Sequence, residues 1–81
     1  MIRVEARLYA MLGRHRPEAR TGEAVVCELP DGTTVRALLV ETLGLPLDQV
    51  KTVFVNGRAR GLDHILADGD RVGAFPLVAG G

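Results

Sequence analysis

The 81 residues leave room for one domain and one core, and a chain of this size buries only about 60–65% of the surface its unfolded form exposes. Apolar residues make up 47% and charged residues 25%, a globular composition, and ten basic side chains balance ten acidic ones, so the basic excess of a broad nucleic-acid footprint is missing. One cysteine and two histidines exclude an internal disulfide and the usual four-ligand structural zinc site, and no apolar run approaches the roughly 20 residues of a membrane span.

The opening Ile2-Arg3-Val4-Glu5-Ala6-Arg7-Leu8-Tyr9 alternates with period two, which predicts a strand with Ile2, Val4, Ala6 and Leu8 on the core face. From Ala10 to Glu23 the alternation lapses, and Gly13, Pro17 and Gly22 predict a loop with room for one helical turn. Arg14, His15, Arg16 and Arg20 make it basic, and without interleaved aromatics they read as a solvated loop. A second strand is expected over 24–29, with Val25, Cys27 and Leu29 on one face, before the turn residues Pro30-Asp31-Gly32. Cys27 lies in register with that apolar face, so it is expected to be buried and inert rather than a sulfur-handling thiol.

Thr33 and Thr34 are both suitable N-caps for a helix carrying Val35, Leu38, Leu39 and Leu43, ending at Gly44 with Pro46 beyond it. Leu47 to Val50 reads as a tight connector. Thr52-Val53-Phe54-Val55 predicts a third strand closed by the turn pair Asn56-Gly57. After an irregular stretch, Asp68-Gly69-Asp70 turns the chain into a final strand from Arg71 to about Leu77. Asp63, His64, Asp68 and Asp70 could suggest a metal or acid–base cluster, but turn chemistry accounts for them, since Asp side chains hydrogen-bond nearby backbone. A single helix with so few strands must cover one face of a mixed sheet of four to five strands, an α+β arrangement. In it the first two strands form a hairpin, and the final strand pairs beside the first.

Val53-Phe54-Val55-Asn56-Gly57, then Asp63 through Val72 with its Asp68-Gly69-Asp70, then Phe75-Pro76-Leu77-Val78-Ala79-Gly80-Gly81 resemble the MoaD/ThiS family of ubiquitin-like sulfur carriers, nearest its MoaD branch. The likeness covers the whole chain in element order and the last thirty or so residues in detail. Ala74-Phe75 and Pro76-Leu77 depart from the paired aromatics and paired prolines common in MoaD-type tails.

The resemblance implies a single β-grasp domain over 1–81 with a flexible tail at 78–81. It also implies a carrier role, with no intrinsic catalytic residue, bound cofactor or metal. Gly81 would be adenylated by a ubiquitin-activating-type adenylyltransferase (MoeB/ThiF-like) using ATP and magnesium, then converted to a thiocarboxylate with sulfur from a donor. Val78, Ala79 and Gly80 would thread into the partner's cleft, where glycines offer no Cβ to obstruct the approach. The acceptor would be molybdopterin, made with a MoaE-like large subunit, in the cytoplasm. Carriers for thiamine, cysteine or tRNA thiolation, a protein modifier conjugated through Gly81, and a passive binding module are the alternatives.

Alternation supplies the docking face. With Val53 and Val55 turned to the core, Phe54 turns away, and with Val72 and Ala74 turned in, Gly73 and Phe75 turn out. In the β-grasp sheet that the resemblance implies, the third and last strands are neighbours, so Phe54 and Phe75 are expected side by side on the open face, with Arg3 and Arg7 nearby and Pro76 and Leu77 leading to the tail.

Overall fold

The computed structural model describes residues 1–15 and 22–76. The expectations placed on Leu77, Val78, Ala79, Gly80 and Gly81, and on Arg16, Pro17 and Arg20, lie outside the described residues.

Five strands form one mixed sheet: β1 (Ile2–Leu8), β2 (Ala24–Leu29), β3 (Val50–Val55), β4 (Arg58–Ala59) and β5 (Arg71–Pro76), in the order β2-β1-β5-β3-β4. β1 pairs antiparallel with β2 and parallel with β5, and β5 pairs antiparallel with β3. The last strand thus occupies the centre, beside the first, as the alternation required. The period-two pattern sends Val4, Ala6 and Leu8 of β1, Cys27 and Leu29 of β2, Val53 and Val55 of β3, and Val72 and Ala74 of β5 into one buried cluster. Cys27 is buried there, its Sγ donating to the carbonyl of Val25 at 3.8 Å.

The helix covering that cluster departs from the regular α-helix expected up to Gly44. α1 spans only Val35–Ala37, capped by Thr34, whose hydroxyl accepts from the amide of Ala37 at 3.2 Å. Leu38–Thr42 then widens into a π-helical turn in which the amide of Leu43 reaches back five residues to the carbonyl of Leu38 at 2.9 Å. Leu38, Leu39, Leu43 and Leu45 are all buried against the sheet through this turn. Leu38 and Leu39 lie within the turn, Leu43 closes it, and Leu45 follows Gly44. The segment ends where Gly44 takes φ +67.

Three other boundaries differ from expectation. Ala10–His15 forms the helical turn for which the loop had room, a 3-10 helix, but its Leu12 is fully buried in the core where a solvated loop was expected. β3 begins at Val50, two residues early, because a register irregularity between Val50 and Thr52 lets Val50 pair with Pro76. Asn56 (φ 53) and Gly57 (φ 82) form the left-handed pair of a two-residue hairpin, so the chain continues into the short strand β4 where irregular structure was expected.

Asp68 and Asp70 perform turn chemistry. The Oδ1 of Asp68 accepts from the amide of Arg3 at 2.8 Å. Asp70 is 9% exposed, and its two carboxylate oxygens accept from the Nδ2 of Asn56 and the amide of Ala67, each at 2.8 Å. Asn56 in turn accepts from the amide of Arg71 through its side chain and donates its own amide to the carbonyl of Arg71. The β3–β4 turn and the start of β5 are therefore fastened through one buried carboxylate. Asp63 is exposed and pairs with Arg36 at 3.1 Å. Among the described residues no three His, Cys, Asp or Glu side chains stand together as metal ligands, and no helix is long and apolar enough to cross a membrane. A mixed sheet with one short helix over one face is the β-grasp arrangement.

Candidate functional site: an aromatic face beside the last strand

The outer face of the sheet gathers the residues that alternate away from the core. Phe54 on β3 and Phe75 on β5 meet edge to face, with ring centroids 5.5 Å apart and planes at 83°. The two residues remain 36% and 37% exposed. Thr52 pairs with Phe75, and Phe54 with Gly73, which sets the two rings diagonally across neighbouring strands.

Tyr9 completes the patch, and the sequence reading did not assign it. Its ring stacks on Phe75 at 4.5 Å between centroids, with the planes 5° from parallel. The signal was present: Tyr9 continues the odd-numbered series Arg3, Glu5, Arg7 that faces away from the core. β1 ends at Leu8, and the amide of Tyr9 donates to the carbonyl of Ala74, which draws the residue over β5. Gly73 makes room for it. A Cβ there would stand 3.2 Å from Cε2 of Tyr9, inside ordinary contact, so a side chain at this position would push the ring away. All three aromatic residues of the chain therefore form one cluster on one face. Pairs of this kind add about 0.5–1.5 kcal/mol beyond the area they bury.

The cluster walls a shallow hollow of about 350 Å³ whose rim includes Arg7 and Arg71. Arg71 lies 3.8 Å from the carboxylate of Glu5, a largely exposed and therefore weak pairing. Arg7 has no ion pair among the described residues. Arg3 does not join the hollow. It shares the outer side of β1 but sits toward the opposite end, where it pairs with Glu28 at 3.0 Å and borders a second depression with Met1, Asp68 and Gly69. Arg3 lies four positions before Arg7 on β1, about 13 Å of strand, which is why a shared face did not make them neighbours. Pro76 ends β5 at the margin of the patch, half-buried opposite Val50.

The face thus offers an apolar aromatic centre with a cationic rim, on the strand that leads to the C-terminal glycines.

Residues 1–80 match the model of the family described as Mut7-C ubiquitin. Among solved structures, SAMP1 from Haloferax volcanii is similar at 28% identity and a TM-score of 0.71, over 98% of this chain and 99% of that one. The putative molybdopterin converting factor, subunit 1, from Pyrococcus furiosus is similar at 29% identity and a TM-score of 0.72, over 96% and 100%. A chain in the complex of subunits 1 and 2 of molybdopterin-converting factor from Helicobacter pylori is similar at 26% identity and a TM-score of 0.62, over 99% and 100%. None of the curated proteins compared with the chain matches it. The resemblance read from the sequence to MoaD/ThiS-type ubiquitin-like proteins therefore holds at the level of family and fold.

Proposed function

We propose, for a chain that belongs to the Mut7-C ubiquitin family, that it is a sulfur carrier whose working group is the carboxylate of Gly81. The observation that carries this reading is the position of β5. The central strand bears Phe75 of the aromatic face and leads, five residues after Pro76, to Gly80-Gly81. A partner gripping the face receives the tail beside its grip.

The chemistry asks little of the carrier. A carboxylate oxygen of Gly81 attacks the α-phosphorus of ATP in a MoeB/ThiF-like adenylyltransferase, and pyrophosphate leaves. Hydrosulfide from a donor then attacks the acyl carbon, AMP leaves with the electron pair of the broken acyl–phosphate bond, and loss of the thiol proton leaves a thiocarboxylate. Magnesium and ATP belong to the activating partner, and this chain is a carrier rather than an enzyme. Val78, Ala79 and Gly80 thread the tail, and ordering them costs about 1–2 kcal/mol per residue. Docking through Phe54, Phe75, Tyr9, Arg7, Pro76 and Leu77 offsets that cost, with Arg3 at most on the periphery. The likeness to subunit 1 of molybdopterin converting factors supports a MoaE-like large subunit as acceptor complex and molybdopterin as the sulfur's destination.

A second reading has its own observation, the likeness to SAMP1, also named small archaeal modifier protein 1. In that reading Gly81 ends in an isopeptide bond to a lysine of another protein. Appending residues after Gly81 tests the tail's part in both. The extended chain is expected to lose charging by the activating enzyme while still binding it within about threefold, because docking rests on the face. An extended chain that still supports sulfur transfer contradicts the carrier reading.

A further inference from the structure

The hairpin that carries β4 sets two arginines on the side of the sheet opposite the aromatic face. Arg58 pairs with Val55, and the amide of Arg60 donates to the carbonyl of Val53 at 2.9 Å. Residues directly opposite one another in antiparallel strands share a face, so both side chains leave the sheet on the side of Val53 and Val55. Their Cα atoms stand about 6–7 Å apart, two residues along one strand. Across from them runs the segment 61–67, which is fastened to the helix and its cap. The amide of Val35 donates to the carbonyl of His64, and that of Leu66 to the carbonyl of Thr33, each at 2.9 Å. His64 is half-buried there, and Ile65 beside it is 62% exposed. Arg58, Arg60, His64 and Ile65 thus wall a hollow of about 340 Å³ that Asn56 and Asp70 also border.

The charge in this hollow is unbalanced. Arg58 and Arg60 have no ion pair among the described residues. The carboxylates nearby are engaged elsewhere: Asp63 pairs with Arg36 at 3.1 Å, and the two oxygens of Asp70 accept from Asn56 and Ala67. We propose that the hollow binds a small phosphate-bearing molecule with an apolar body, at a site separate from the aromatic face and independent of the carrier reading. One guanidinium fork already satisfies the two oxygens of a carboxylate. Two forks on one side of a strand suit a phosphate monoester, whose three terminal oxygens accept from both. His64 adds a ring nitrogen to the wall, and Ile65 gives the body attached to the phosphate an apolar surface to cover. Confinement of the two cations to one hollow selects a small ligand, since a polyanion is held by cations spread along a face.

The test is a titration of the full chain at constant ionic strength, followed through backbone amide NMR shifts, with phenyl phosphate, inorganic phosphate and benzoate as probes. Phenyl phosphate is expected to give saturable shifts centred on residues 55–67. Its affinity should exceed that of inorganic phosphate at least fivefold and that of benzoate at least tenfold. Arg58→Gln and Arg60→Gln, both exposed substitutions, are each expected to weaken phenyl phosphate at least tenfold. Ile65→Ser should erase the advantage over inorganic phosphate while leaving inorganic phosphate itself unchanged. Arg3→Gln removes the same charge from the other side of the sheet and is expected to change nothing. The proposal is overturned by the absence of saturable shifts, by benzoate binding as tightly as phenyl phosphate, by undiminished affinity in either Arg58→Gln or Arg60→Gln, or by an equal loss in Arg3→Gln.

Discussion

Replacing Asp70 by alanine is expected to lower the unfolding free energy by about 3 kcal/mol. The carboxylate accepts from the Asn56 side chain and the Ala67 amide, and alanine removes the acceptor of both part-buried hydrogen bonds at once. Hydrogen bonds to a charged acceptor are worth about 1.5–3 kcal/mol each, and two are lost together. Asparagine does not rescue the site. Its amide offers one oxygen where two are used, and its NH₂ would point at a donor, so Asp70→Asn is expected to cost nearly as much as alanine. The damage extends beyond the turn, because Asn56 also fastens the backbone of Arg71, and the carbonyl of Asp70 accepts from the amide of Glu5 on β1. Against a total of roughly 4–12 kcal/mol for a chain this long, the variant should show a much lower urea midpoint at an unchanged slope. A midpoint within a few tenths of a molar of the parent would show that the turn holds without its carboxylate.

Phe75→Ala is expected to weaken binding to the activating adenylyltransferase by roughly 10–100-fold, the loss typical of a central aromatic anchor. Phe75 is the hub of the outer face, stacked on Tyr9 and edged by Phe54, so its removal frees both remaining rings and flattens the hollow. The residue is already 37% exposed, so the cost to folding should be smaller than the cost to binding. Calorimetric titration beside a thermal melt separates the two. Arg7→Ala provides the contrast: a rim charge chiefly alters the association rate and its salt dependence, and affinity should fall only a few-fold. Equal losses for Phe75→Ala in melt and titration would make the cluster a structural feature alone.

Alternation made the sheet legible. Period two located both faces of β1, β3 and β5, and the β-grasp strand order implied by the resemblance then set Phe54 beside Phe75. What it could not deliver was distance along a strand, and so Arg3 was expected near rings although it sits at the other end of β1. Tyr9 stood in the same series but was passed over because it falls at the strand's end, where the chain leaves the sheet and alternation no longer fixes a neighbour. Only the fold reveals that Gly73 opens a place for its ring. Leu12 was hidden because a single leucine in a stretch with glycine and arginine shows no period, although it is fully buried. The helix was found by its leucines and its Thr34 cap, but its widening at Leu38 left no mark in the 3.6-residue spacing. β4 escaped notice because Arg58-Ala59 has no apolar alternation, and it exists through the Asn56-Gly57 turn that returns the chain along β3.

The carrier account is tested most directly by the intact mass of the chain after incubation with its activating enzyme, ATP, magnesium and a sulfur donor. Exchange of one oxygen at Gly81 for sulfur is the predicted result, with the mass gain confined to the last peptide. Finding the chain consumed the enzyme's ATP yet carried Gly81 only in isopeptide bonds to other proteins, or returned it unaltered, would contradict it.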